Sequence, residues 1–252
     1  MSRRTWIIGV SAVVALLVVG GGAFWYWFLR DDAPAEVSLD AAVEAISTSE
    51  AGGDSASGTP GASDADTGAR TGTAPLDGQW ALASEGDSFV GYRVNEELAS
   101  IGFTTAVGRT RSVTVDVTIA DGVLQSAKVE ADMTRLQSDS AMRDRALSNQ
   151  ALETSRFPTA TFELTSPVEL PDGLANGEAM TLSITGNLTL HGVTREITVP
   201  VEAQFVDNYL VAVGSIDIVF ADYDIQPPRA ASVVSVEDHG VMELQLTLSR
   251  AS

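Results

Sequence analysis

The chain has 252 residues, with 15 Lys+Arg against 34 Asp+Glu and a formal net charge of -19. That balance argues against a nucleic-acid binder, which needs basic patches to neutralise phosphates. With no cysteine, two histidines (His191 and His239) and Lys128 as the sole lysine, it also excludes disulfides, thiolate or three-His zinc sites, Cys nucleophiles and lipid attachment at cysteine.

In chain order, the first predicted element is a membrane helix. No charged residue occurs from Trp6 to Leu29, and about twenty apolar residues suffice to cross a bilayer core as a helix. Arg3 and Arg4 precede the run, and Asp31 and Asp32 follow Arg30, so the positive-inside rule puts the N-terminus in the cytoplasm. Trp25, Tyr26 and Trp27 fit an aromatic belt at the far interface. A cleaved signal peptide would have a shorter apolar stretch ending in small residues, not in Phe-Trp-Tyr-Trp-Phe. Residues 1–30 are therefore expected to be an uncleaved transmembrane anchor, with everything beyond it extracytoplasmic, either periplasmic or at the cell surface.

Residues 31–75 hold one Arg against nine acids and consist largely of Ala, Gly, Ser, Thr, Pro and Asp. Such a composition buries too little apolar area to offset the entropy of ordering, which predicts a disordered, acidic linker. One or two helical turns are expected around Ser38 to Ile46, where Val37, Val43 and Ile46 form a weak stripe.

Residues 76–252 read as β structure. Val113, Val115, Val117 and Ile119 alternate with polar residues, as do Leu182, Ile184, Gly186, Leu188 and Leu190. Ile197 to Phe205, Ile216 to Phe220 and Met242 to Leu248 repeat the period of two, so each strand has a dry face and a wet face. Turn signals divide the strands at Asp121-Gly122, Pro171-Asp172-Gly173, Asn176-Gly177, His191-Gly192 and Asp207-Asn208. Ser138 to Ala151 breaks the pattern and reads as one short inserted helix. Closing such an antiparallel sheet into a barrel of about eight strands removes its exposed edges.

Catalytic arrangements are scarce. Both histidines sit in turn sequences, and neither has a serine in a nucleophile-elbow context. The acid pairs Asp222 with Asp224 and Glu237 with Asp238 lack the spacing of a calcium loop, and no phosphate-cradling glycine loop is present. Non-covalent binding is the chemistry that remains. Barrels of about eight strands either fill their interior with side chains or hold one small ligand, and the alternation alone is compatible with both.

Several stretches resemble the YceI-like family: Ser88-Phe89-Val90-Gly91-Tyr92-Arg93-Val94, then Asp144 and Leu147 followed by Arg156-Phe157-Pro158-Thr159-Ala160-Thr161-Phe162, and the hairpin Gly186-Asn187-Leu188-Thr189-Leu190-His191-Gly192-Val193-Thr194. The resemblance implies a lipocalin-like antiparallel barrel that holds a polyisoprenoid or isoprenoid quinone outside the cytoplasm. It departs from the family at Glu96, where a His is common, and around Tyr223, which lacks the frequent flanking Arg and Gly. The expected ligand wall is the set on the apolar strand faces: Val90, Tyr92, Val94, Phe162, Leu182, Ile184, Leu188, Phe205, Ile218, Phe220, Leu244 and Leu246. The expected function is a non-enzymatic, membrane-tethered carrier or reservoir for an isoprenoid lipid, with no other cofactor. The alternative is a structural or interaction domain whose barrel is filled.

Overall fold

The computed structural model describes residues 33–51, 76–99, 102–229 and 233–251. The chain divides into two units, residues 1–34 and 35–252, and all the described strands and helices belong to the second. The expected anchor lies outside the described residues; among those described, no helix is long and apolar enough to cross a membrane.

The β segments in chain order are β1 (Gly78–Leu82), β2 (Phe89–Leu98), β3 (Gly102–Thr110), β4 (Val113–Ala120), β5 (Val123–Asp132), β6 (Gln137–Ser138), β7 (Thr159–Leu164), β8 (Val168–Glu169), β9 (Met180–Leu190), β10 (Val193–Val206), β11 (Tyr209–Val219), β12 (Val233–Val236) and β13 (His239–Arg250). Every pairing is antiparallel, and the path β1-β4-β5-β7-β9-β10-β11-β13 closes because β13 also pairs with β1. The C-terminal half of β13 holds β1 through Leu248↔Leu82, and its N-terminal half holds β2 through Val241↔Arg93. β1 with β2, and β3 with β4, thus act as two long interrupted strands, and the closed barrel has eight staves. Closure gives every strand of that ring a neighbour on both sides, while β3 continues beyond β2 and is met on its far side by β6 at Gly108 and Arg109.

The hairpin turns follow their sequences. Asp121-Gly122, His191-Gly192 and Asp207-Asn208 all take positive φ at both residues, the geometry that matches the twist of a two-residue hairpin. Pro171-Asp172-Gly173 differs from expectation: it opens a single helical turn at Asp172–Ala175, whose Leu174 is buried beside Trp80 in the interior cluster and closes one end of the barrel. The inserted helix is also shorter than its sequence suggested. It runs Ala141–Ala146 behind a Ser140 cap, then widens over Leu147–Ala151, where the Leu152 amide reaches back to the Leu147 carbonyl at 2.8 Å. Strand β11 likewise ends at Val219, and Phe220–Tyr223 forms a tight helical turn.

The helical turns expected near the start of residues 31–75 are present. Residues Leu39–Ala51 form helix α1, longer than the one or two turns expected. A helix of 13 residues is marginal alone; this one has Leu39, Ala42, Val43 and Ile46 on one stripe, packed on Val211 and Val213 of β11. Ser38 caps it by accepting from the Ala41 amide. The complementary signal was the unbroken run Tyr209 to Val213: Leu210 and Ala212 belong to the interior cluster while Val211 and Val213 lie under the helix, so this strand is dry on both faces. Beside it, Glu243 is 1% exposed and paired with Arg93 at 2.8 Å and Arg109 at 3.5 Å, and Arg109 donates to the Ala35 carbonyl at 3.0 Å. The stretch from Ala35 to Ile46 is part of the barrel's packing.

Candidate functional site

Among the described residues, two apolar cavities lie inside the barrel. The deeper one, about 150 Å³, is walled by Val115, Val117, Ile119, Leu182, Ile184, Leu188, Leu244 and Leu246, with Leu170 and Leu174 at its closed end. The other, about 130 Å³, is walled by Tyr92, Val94, Ala106, Ile218, Phe220 and Met242, and roofed by Met133, Leu136, Leu147, Leu152, Ile225, Pro227 and Pro228. Val90, Ala160 and Met242 line both, so the two adjoin along one stretch of wall. Apolar cavities of about 150 Å³ stay dry and accept apolar guests.

The lumen stays hollow partly because two aromatic rings lie against glycine. Phe162 folds over Gly186, and Tyr92 over its cross-strand partner Gly108, each ring in the space a Cβ would occupy. A Cβ at 186 would also come within 2.5 Å of the Glu163 carbonyl oxygen. The aromatic side chains therefore form wall and leave the centre open, the pairing of aromatic with glycine that strands use to fill a missing side chain.

The polar side chains at the outer cavity are Tyr92, Glu96 and Arg143. Glu96, 8% exposed, accepts from Arg143 at 2.5 Å; Arg143 also holds Asp139 and approaches Ser138 Oγ at 3.4 Å. Among the described residues the Tyr92 hydroxyl has no hydrogen-bond partner, and its burial pushes its pKa well up. Burial opposes the charge on Arg143, but its bonds to Glu96 and Asp139 outweigh that and raise its pKa.

At the same end, His191 serves as a latch. Its Nδ1 lies 3.0 Å from the Tyr223 carbonyl, its Nε2 lies 3.2 Å from Glu153 Oε2, and its ring meets Phe157 edge-on at 4.5 Å. Two segments, the connection carrying Glu153 and Phe157 and the Phe220–Tyr223 turn, are thereby joined to the β9–β10 turn. Hydrogen bonds from Arg156, then from His191, hold the Glu153 carboxyl below the usual carboxylate range. His239 begins β13, half exposed beside Glu237 and Asp238, and Asp222 pairs with Arg195 at the surface. Among the described residues no group of three His, Asp or Glu could hold a metal ion.

A family model for the YceI-like domain matches residues 83–248. The chain belongs to the YceI-like family. A UPF0312 protein of Vibrio parahaemolyticus is 30% identical over 157 residues, 58% of this chain and 78% of that protein. Another, from Vibrio campbellii, is 29% identical over the same shares. The solved polyisoprenoid binding domain from Saccharophagus degradans has 20% identity and a TM-score of 0.54, covering 68% of this chain and 98% of that one. That likeness establishes the lipocalin-like barrel.

Within this YceI-like barrel, the expected wall residues divide between the two cavities. Tyr92, Val94, Ile218 and Phe220 fall on the outer one, Phe162, Leu182, Ile184, Leu188, Leu244 and Leu246 on the inner one, and Val90 on both. Phe205 lines neither; it packs edge-on against Trp80 at 6.0 Å in the closed end. The roof residues escaped sequence reasoning because they come from irregular segments with no period to read. Arg143 escaped it, and Glu96 showed only as a departure from the family, because their significance is their mutual pairing across 47 positions of sequence.

Proposed function

We propose that this YceI-like protein is a non-enzymatic carrier or reservoir that holds the apolar chain of an isoprenoid lipid, polyprenol- or quinone-like, in its lumen. The reading places the barrel outside the cytoplasm, tethered to the membrane through residues 6–29. The observation that carries it is the pair of adjoining apolar cavities inside a closed barrel. An empty cavity costs about 24 cal/mol per Å³, so an unfilled lumen is a standing destabilisation that an apolar guest removes. Each buried CH₂ contributes about 0.8 kcal/mol, so a few isoprene units supply useful affinity before any polar contact. Support for the tether is the uncharged run from Trp6 to Leu29 behind Arg3 and Arg4.

The test of binding uses the full-length chain, because α1 packs with the barrel. Polyprenol or isoprenoid quinone added to about 100 times its Kd contributes about 2.7 kcal/mol, which raises the melting midpoint of a domain this size by about 5–10 °C. An unchanged midpoint with every such lipid favours the alternative, a structural or interaction domain. For the tether, the chain is expected to stay with membranes through alkaline carbonate extraction, with its barrel open to protease in spheroplasts. A shorter soluble form beginning near Asp31 would contradict it.

A further inference from the structure

Among the described residues, the large apolar side chains left exposed are Phe103, Met142, Val219 and Val234, with Phe103 84% open to solvent. Each adjoins a residue lining the outer cavity. Val219 lies between Ile218 and Phe220, Met142 precedes Arg143, Val234 stands two residues before Val236, and Phe103 pairs across to Glu97, next to Glu96. Three of them come from one arc of the barrel, β11-β13-β2-β3 with β12 on β2, and the inserted helix supplies the fourth. The closed end differs, with polar hairpins at Asp121-Gly122 and Asp207-Asn208. Single exposed apolar residues need no explanation, but a group gathered around one opening marks an interaction surface. We propose that the mouth of the barrel docks on the bilayer itself, with Phe103, Met142, Val219 and Val234 entering the headgroup region of a membrane of low net charge, so that a lipid passes between bilayer and lumen without crossing water. This rests on the membrane-tether reading and adds to it the face by which the barrel meets the membrane.

The length and path of the chain before the barrel favour a bilayer as the occupant. Arg109 of β3 holds the Ala35 carbonyl at 3.0 Å, and Glu36 and Val37 lie beside Arg93, Ser215 and Asp217, on the outside of the same arc. From there α1 runs along β11 towards Val206 and Tyr209, beside the closed end. The docked segment therefore enters from the mouth side. The uncharged run stops at Leu29, six positions before Ala35, and six extended residues reach at most about 20 Å. Docking at Ala35 makes those six residues the effective leash, in place of the whole of 31–75. Val219 is two residues beyond Asp217, about 7 Å along the strand, so the apolar rim lies within the leash's reach. Charge decides which membrane suits it. The chain carries a net charge of -19, and the exposed Asp238 stands at this mouth, so an anionic surface repels the rim. Insertion is driven by apolar area, and the tether's high local concentration lets a few side chains suffice.

The chain has no cysteine, so a single introduced thiol carries a probe at one known place. Phe103→Cys, Met142→Cys and, at the closed end, Asn208→Cys are each labelled with the same environment-sensitive fluorophore. The full-length chains are reconstituted into phosphatidylcholine vesicles with and without nitroxide-labelled lipid, and flotation with the vesicles reports the tether. Probes at 103 and 142 are expected to shift to shorter wavelength and to be quenched by the nitroxide lipid, at low and high salt alike. The probe at 208 should keep its emission in water. Adding Phe103→Asp and Val234→Asp to the chain labelled at 142 should lower the ratio of docked to undocked barrel about tenfold, the factor that the lost burial of one such side chain corresponds to. Its melting midpoint should stay unchanged, because both sites are exposed. Chains that float while the probes at 103 and 142 read water overturn the proposal and leave the tether standing. Equal quenching at all three positions also overturns it, since no face is then preferred. Chains that do not float overturn the tether reading and the proposal with it.

Discussion

Ile184→Trp separates a hollow barrel from a filled one by the sign of its effect on the lipid-free protein. Ile184 lines the inner cavity of about 150 Å³. At about 24 cal/mol per Å³, that empty space costs the apo-protein about 3.6 kcal/mol, and a side chain filling about a third of it recovers about 1 kcal/mol. In a filled core the same enlargement overpacks and costs about 1–3 kcal/mol. For a domain of this size, 1 kcal/mol moves the melting midpoint by about 2–4 °C. The delipidated variant should therefore melt at or a few degrees above the wild type, while retention of farnesene falls because the indole occupies the guest's space. Leu246→Trp, on the same cavity, should behave alike. A midpoint depressed by several degrees in both variants, with lipid retention unchanged in the protein that still folds, would refute the reasoning.

Gly186→Ala should destabilise and reduce lipid capacity together, because the new Cβ displaces Phe162 towards the lumen; calorimetry paired with farnesene retention checks both. His191→Ala should lower the melting midpoint without abolishing lipid binding. Gly192→Val should be worse, since residue 192 has φ 77 and a Cβ there would come within 2.6 Å of the Phe157 ring. The latch should also weaken in acid. Glu153 is held below its ordinary range, so its contribution is present above the unfolded carboxylate pKa and is lost as pH falls through the lowered folded value. A melting series across that window should show a decline that Glu153→Gln makes shallower.

The strands were legible because burial on one face imposes a period of two. Ile184, Leu188, Leu244 and Leu246 needed only their alternation to be placed on the inward faces of their strands, and Asp121-Gly122 and His191-Gly192 needed only their residue types to be assigned to turns. Phe205 satisfied the same pattern and still lies outside both cavities, because alternation gives the face of a strand and not the height along the barrel, and at that height Trp80 fills the interior. The roof was illegible for a related reason. Leu147 and Leu152 reach the cavity through a widened turn, and Pro227 and Pro228 through a connection without regular structure. Helix α1 was half legible: Val43 and Ile46 were visible as a stripe, but its docking site, Val211 and Val213, was apparent only as an apolar run that no one-sided strand requires. Glu96 stood out as a departure from the family, and only its bond to Arg143 gives that departure a physical sense.

The central claim is that the lumen carries an isoprenoid chain in the cell. Mass spectrometry of organic extracts from the full-length protein, purified from its native cells without added lipid, tests it most directly. The predicted result is a co-purifying isoprenoid whose headgroup is an alcohol or a quinone, lost from the extract of Ile184→Trp. Repeatedly clean extracts from the wild type, or the same lipid in equal amount from the lumen-filled variant, would contradict it.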